Sequence, residues 1–237
     1  MRLLITRPKD AAMSIAAALS ASGHTPLIAP VMDINIRDGE PLILDGIQAI
    51  LATSANGVRA LTQRSEDRKL PLYAVGPQTE EAAREAGFHS VHSANGDAAA
   101  MAEKVIAELD PTKGALFHAA GAETAGRLAE TLRAQNFIVE SDILYDALPV
   151  SKLPDIAASA LRENLLDGVL VFSPRTAKIF TKLILEADMT EKCAPLHAFC
   201  ISAATAAALG SLEFTRVAVA GNPNQEAMLA LFPKENN

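Results

Sequence analysis

The feature that most constrains this chain is a pattern that occurs twice. Tyr73-Ala74-Val75-Gly76-Pro77-Gln78-Thr79-Glu80-Glu81-Ala82-Ala83 and Phe199-Cys200-Ile201-Ser202-Ala203-Ala204-Thr205-Ala206-Ala207-Ala208-Leu209 share one plan. Each is a short apolar run, a tight turn of small residues, and an Ala-rich helical run, with Thr79 and Thr205 in the same place. Upstream, Ile50-Leu51-Ala52-Thr53-Ser54-Ala55-Asn56-Gly57-Val58 answers Val169-Leu170-Val171-Phe172-Ser173-Pro174-Arg175-Thr176-Ala177. Downstream, Asn95-Gly96-Asp97 up to Met101 answers Asn222-Pro223-Asn224 up to Met228. Two copies are too few for a solenoid, which needs about three repeats or more. They suffice for two similar α/β domains, and a cleft between such domains is a usual place for a small-molecule site.

The order of elements supports that reading. Strands are expected at 3–6, 25–30, 47–53, 72–75, 90–92 and 115–118, with helices at 11–22, 55–63, 77–86, 98–109, 124–135 and 155–166. Gly23 and Gly87 are C-terminal stops and Asp97 is a cap. A second copy follows from Gly168 to a helix at 224–232 and a polar tail at 234–237. Strand–helix alternation predicts parallel sheets with right-handed crossovers. Residues 31–37 differ. Val31-Met32-Asp33-Ile34-Asn35-Ile36-Arg37 alternates, which marks a half-exposed strand. It reads as a linker leaving the first domain, and the extended segment 139–147 with Leu148-Pro149-Val150 as its return partner. The expected boundaries are 1–34 with 150–237, 38–145, and linker strands 31–37 and 143–150.

Composition closes off several functions. A net charge of −7 opposes bulk nucleic-acid binding, so any anion site must be local. Cys193 and Cys200 match no metal or redox spacing and read as buried thiols, which favours a reducing cytoplasm. The first apolar run is too short for a signal peptide, and no run approaches the ~20 residues of a membrane span. A cytoplasmic monomer with no membrane partner is expected. No G-x-G-x-x-G, P-loop, H-E-x-x-H or G-x-S-x-G is present, so nothing calls for a dinucleotide, ATP, a metal or a serine nucleophile. No cofactor is expected.

In open parallel sheets, ligands collect beyond the carboxyl ends of the strands. The turns there are Thr6-Arg7-Pro8, Thr53-Ser54-Ala55-Asn56, Gly76-Pro77-Gln78-Thr79, His118-Ala119-Ala120-Gly121, Ser173-Pro174-Arg175-Thr176 and Ser202-Ala203-Ala204-Thr205. Each opens a helix, whose first N–H groups and dipole favour anions. The plainer reading stands beside this one: Ser54, Ser173 and Ser202 are ordinary N-caps, and Asn222 with Gln225 fits a capping box. Thr79 and Thr205 fall at the third helical position, where Thr is not specially favoured, so their hydroxyls invite a functional role. Of five histidines only His118 is placed at the functional edge. Tyr145 lies in the return linker, while Tyr73 reads as packing.

Taken in order, Leu4-Ile5-Thr6-Arg7-Pro8, Thr53 to Val58, Ala74 to Thr79, Tyr145, Phe172 to Ala177 and Ile201 to Ala206 resemble the uroporphyrinogen-III synthase family along nearly the whole chain. Ser202-Ala203 stands where that family usually carries Gly-Pro. The resemblance implies an α/β fold of two similar parallel-sheet domains with helices on both faces, one domain discontinuous, joined by a two-stranded antiparallel linker. It implies a cyclising hydro-lyase of heme biosynthesis. Such an enzyme closes hydroxymethylbilane with loss of water and inversion of ring D, giving uroporphyrinogen III. It implies Tyr145 as the catalytic group, and Arg7, Thr53, Ser54, Asn56, Gly76, Thr79, Gly121, Ser173, Arg175, Ser202 and Thr205 as substrate-binding residues. Two other readings fit Ser/Thr-rich turns: a two-domain binding protein for an anionic small molecule, and a sugar-phosphate isomerase. The isomerase needs a Glu or His base, and none stands out in these turns.

Overall fold

The computed structural model describes residues 1–123 and 126–232. The expected helix start at Thr124 and the tail at 234–237 lie outside the described residues. In chain order the elements are β1 (Arg2–Ile5), α1 (Lys9–Ala21), β2 (Thr25–Ile28), β3 (Met32–Ile36), β4 (Ile47–Ala52), α2 (Ala55–Arg64) and β5 (Leu72–Ala74). Next come α3 (Pro77–Glu85), β6 (Val91–Ser93), α4 (Ala98–Glu108), β7 (Ala115–Gly121), α5 (Gly126–Arg133) and β8 (Val139–Pro149). Then follow α6 (Asp155–Arg162), β9 (Gly168–Val171), α7 (Pro174–Glu186), β10 (His197–Cys200), α8 (Ala203–Ala207), β11 (Arg216–Val219) and α9 (Gln225–Leu229). No helix of the described residues is long and apolar enough to cross a membrane.

The chain separates into two compact units, Met1–Asp33 with Leu148–Asn237, and Ile34–Ala147. The first unit holds a parallel sheet in the order β11-β10-β9-β1-β2. Successive residues of β1 alternate between its two cores. Leu4 joins Val169, Val171, Leu161 and Phe180 on one face; Leu3 and Ile5 join Ile15, Leu19 and Leu170 on the other. Both faces are covered, so after Arg2 the strand is apolar without a break, as buried parallel strands are. Phe180 is fully buried, and truncating it to Ala costs about 3–5 kcal/mol.

The second unit repeats the layout. Its sheet runs β6-β5-β4-β7-β8, with β3 added outside β8. One core packs β4 and β7 against α2 and α3 through Ile50, Val58, Leu61, Ala83 and Phe117. The other packs the opposite face against α4 and α5 through Leu51, Met101, Val105, Leu116 and Leu132. The strand order matches that of the first unit, but the chain is permuted. The pair β1–β2 opens the first unit, and its counterpart β7–β8 closes the second. Each sheet therefore has a switch point where the winding direction reverses, between β9 and β1 and between β4 and β7.

The two connecting strands are neighbours. Val150 N–H donates to Val31 (3.1 Å) and Arg37 N–H to Leu144 (2.8 Å), so partners run in opposite chain directions. Arg37 also grips Asp146 bidentately at 2.7 Å, which holds that carboxyl below the usual carboxylate range.

Two local expectations are corrected. β7 does not stop at His118 but continues to Gly121, so His118 is a fully buried mid-strand residue and not a residue of the edge. Hydrogen bonding to β4 and β8 carries the weak strand formers Ala119, Ala120 and Gly121 past their own propensity. The cap of the last helix is Asn224, whose Oδ1 accepts from Ala227 N–H at 2.8 Å, and not Asn222.

Candidate functional site

The first unit's turns at its switch point come from β9 and β1. Ser173 caps α7: its Oγ accepts from Thr176 N–H (3.0 Å) and lies 2.8 Å from Thr176 Oγ1. One strand over, Ser202 repeats this with Thr205, at 3.2 and 3.0 Å. Thr176 and Thr205 are both buried, so their hydroxyls complete the caps. From β1, Thr6 donates to Leu170 O (2.9 Å), and the Arg7 guanidinium stands 4.4 Å from the centre of the Phe172 ring. Such a cation–π contact contributes about 0.5–2 kcal/mol and holds a positive charge beside the α7 N-terminus. Arg175, the second residue of α7, is half-buried at the same helix end.

In the second unit the turns come from β4, β5 and β7. Ser54 caps α2, accepting from Gly57 N–H at 3.0 Å. Its Oγ also lies 2.8 Å from the hydroxyl of Tyr145, a bond across 91 residues of chain. Gly57 has no room for a side chain, since a Cβ there would lie 2.6 Å from Ala119 O, so α2 lies directly on β7. Asn56 Oδ1 accepts from Arg59 at 3.1 Å. The Thr53 hydroxyl is buried without a hydrogen-bond partner among the described residues. Gly76 caps α3 through backbone geometry alone, with Pro77 at the first helical position and Thr79 buried at the third.

Tyr145 is 6% exposed, and its ring lies across Gly121: a Cβ on Gly121 would be 2.5 Å from Cζ and 2.6 Å from Oη. The β7–β8 register slips here, with Ala120 opposite Ile143 but Gly121 opposite Tyr145. His118 points to the other face of the sheet, that of its strand neighbour Leu116, two residues away. Neither ring nitrogen has a hydrogen-bond partner among the described residues, and burial pushes its pKa down to about 4. Tyr73 is buried and donates to Glu108 at 3.0 Å; burial first, then that bond, pushes its pKa up to about 12. Both cysteines are buried, with pKa values pushed to about 11 by burial. No three His, Cys, Asp or Glu side chains among the described residues could hold a metal ion.

The geometry thus brings Ser54, Gly121 and Tyr145 together at the second unit's switch point, with Thr53 and Asn56 in the same turn. Gly76 and Thr79 belong to the next turn along. In the first unit Arg7 and Ser173 flank Phe172, and Ser202 with Thr205 occupies the next turn. Sequence reasoning missed Thr176, Gly57 and Phe172; the Ser202–Thr205 spacing, applied to Ser173, identifies Thr176. A cavity of about 260 Å³ lined by Arg2, Thr25, Leu27, Ile156, Glu163 and Leu165 lies at the opposite, amino ends of β1 and β2. Its mostly apolar wall does not suit a polycarboxylate.

A family profile described as uroporphyrinogen-III synthase HemD matches residues 13–230. No curated protein matches significantly. Among solved structures, uroporphyrinogen-III synthetase from Helicobacter pylori aligns with a TM-score of 0.62 at 18% identity, covering 98% of each chain. A mutant uroporphyrinogen III synthase from the extremely thermophilic bacterium Thermus thermophilus aligns with a TM-score of 0.51 at 19% identity, covering 98% of this chain and 97% of that one. At such identities the likeness establishes the fold, and the profile establishes the lineage. This chain belongs to the uroporphyrinogen-III synthase family, cyclising lyases of tetrapyrrole biosynthesis that act on hydroxymethylbilane.

Proposed function

We propose that Tyr145 assists departure of the substrate hydroxyl and that the helix-opening turns hold the substrate's carboxylates. Those turns contribute Thr53, Ser54, Asn56, Gly76, Thr79 and Gly121 in one unit and Arg7, Ser173, Arg175, Ser202 and Thr205 in the other. The observation that carries the reading is the Tyr145 hydroxyl, 2.8 Å from Ser54 Oγ at the carboxyl ends of β4 and β7. Hydroxymethylbilane carries many acetate and propionate groups. Backbone N–H groups at helix ends meet such anions without a large positive charge, which suits a chain of net charge −7.

The chemistry asks for little acid–base work. The carbon–oxygen bond of the hydroxymethyl group breaks with its electron pair moving to oxygen, and the electron-rich pyrrole stabilises the cation left behind. A phenol donates a hydrogen bond to the departing oxygen, an effect of about 10²–10⁴ at most. Holding the chain so that the substituted carbon of ring D meets the cation is the larger task, and orientation contributes about 7–11 kcal/mol. The anion-binding and isomerase alternatives are not favoured, since the family profile spans most of the chain.

We further propose that the domains divide at 34–38 and 145–150, and that the protein acts as a cytoplasmic monomer without nucleic acid. Sedimentation at micromolar concentration tests the monomer; a dimer mass contradicts it. Incubation with hydroxymethylbilane and separation of the product isomers tests the activity. The type III isomer is expected, and the type I isomer alone, the uncatalysed product, would overturn it.

A further inference from the structure

We infer that Gly121 and Ser54 are positioning residues for the phenol of Tyr145, acting with a one-residue β-bulge at Leu144; this rests on the assignment of Tyr145 to the reaction. Alternation along β8 places Val139, Ser141 and Ile143 on one face of the sheet, and Glu140, Asp142 and Leu144 on the other. Continued unbroken, it turns Tyr145 towards the face of α4 and α5. The register slip between Ala120 and Gly121 inserts Leu144 as an extra residue. Leu144 and Tyr145, adjacent in sequence, consequently both belong to the core beneath α2 and α3. Bulges re-aim single side chains in this way, often beside active sites.

Two contacts then fix the ring that the bulge has turned. Gly121 is opposite Tyr145 in the register, and its missing side chain is the space the ring occupies. The requirement is for room and not for backbone conformation, because Gly121 is not among the glycines with positive φ. At the tip, Ser54 Oγ has accepted from Gly57 N–H and retains one proton and one lone pair for the phenol. The third helical residue here is Gly57, so no neighbouring hydroxyl competes, unlike the Ser173–Thr176 and Ser202–Thr205 pairs. Face and tip together hold both side-chain torsions of Tyr145.

The chain has two tyrosines and no tryptophan, so in a Tyr73→Phe background the tyrosine band of the near-ultraviolet circular dichroism reports Tyr145 alone. Adding Gly121→Ala should abolish or invert that tyrosine band while the far-ultraviolet spectrum is kept. On hydroxymethylbilane, kcat should fall about 10- to 100-fold with KM changed less than about threefold, the scale expected of an ångström misplacement. In a Tyr145→Phe background Gly121→Ala should add less than about a twofold loss, because the group it positions is gone. An unchanged band, or losses in kcat that multiply, overturns the inference. Should Gly121→Ala not fold, Ser54→Gly replaces it, since glycine is nearly as good a cap. It should weaken the band and lower kcat, and wild-type values of both overturn the inference. Full turnover in Tyr145→Phe removes Tyr145 from the reaction, and the band then decides the positioning claim by itself.

Discussion

The two units share one strand order and differ at a few matched positions. Leu170 and Leu51 each stand three residues before a capping serine. The residue opposite Leu170 on the adjoining strand is Ile5, and opposite Leu51 it is His118. Three residues after the caps stand Thr176 in the first unit and Gly57 in the second. The first unit therefore has an apolar strand and a cap serine bonded to its own threonine. The second has a buried imidazole with no hydrogen-bond partner among the described residues, and a cap serine turned to a distant tyrosine. One scaffold tolerates both, and at this matched strand pair the polar residue falls in the unit that holds the phenol. Sites of function are where local rules are expected to yield.

Making the second unit copy the first at its cap should have the largest effect. Gly57→Thr sets a Cβ 2.6 Å from Ala119 O, a backbone atom that cannot swing aside. A loss of about 3 kcal/mol or more is expected, read from the urea midpoint. The reverse change, Thr176→Gly, forfeits a hydroxyl bond and adds helix entropy, about 1–2 kcal/mol together. Equal losses would show that α2 does not rest on β7 as described.

The strand pair gives the next contrast. His118 is neutral in the fold, with its pKa lowered to about 4 from an ordinary 6.5. Between those values the unfolded chain binds the extra proton. Stability from keeping this imidazole neutral is full above about pH 6.5 and is lost as pH falls towards 4, approaching about 3 kcal/mol. His118→Ile, which installs the Ile5 solution, should flatten urea midpoints between pH 6.5 and 4.5. A slope as steep as in the parent protein would assign the acid sensitivity to other groups.

Cap serines separate the units by smaller amounts. Ser54→Ala and Ser173→Ala should each cost about 1 kcal/mol of stability. Only Ser54→Ala also frees the phenol, so its kcat should fall several-fold further. Matching kcat values would remove the distinction between the two caps.

Much of this was legible in the chain. The repeat announced two α/β units, the alternation of 31–37 marked the connecting strand, and Ser-Pro at 173–174 and Ser at 54 marked helix starts through preferences confined to a few residues. What escaped was set by distant partners. Nothing in Ile143-Leu144-Tyr145 displays a bulge, because a one-residue slip within an apolar run leaves no break in periodicity. Ala119-Ala120-Gly121 reads as a turn, since its strand character comes from neighbours on both sides. The Ser54–Tyr145 bond spans 91 residues, and neither end carries a local sign of the other. The permuted order of the strands likewise follows from pairing and not from any single segment.

The central claim, that a phenol held at the second unit's switch point takes part in the reaction, is tested most directly by steady-state turnover of Tyr145→Phe on hydroxymethylbilane. The variant loses one hydrogen bond, about 0.5–1.5 kcal/mol, and Ser54 keeps its bond to Gly57. Its melting temperature should therefore stay close to that of the parent protein, while formation of the type III isomer slows several-fold or more without ceasing. Wild-type turnover in a normally folded Tyr145→Phe protein would contradict the account.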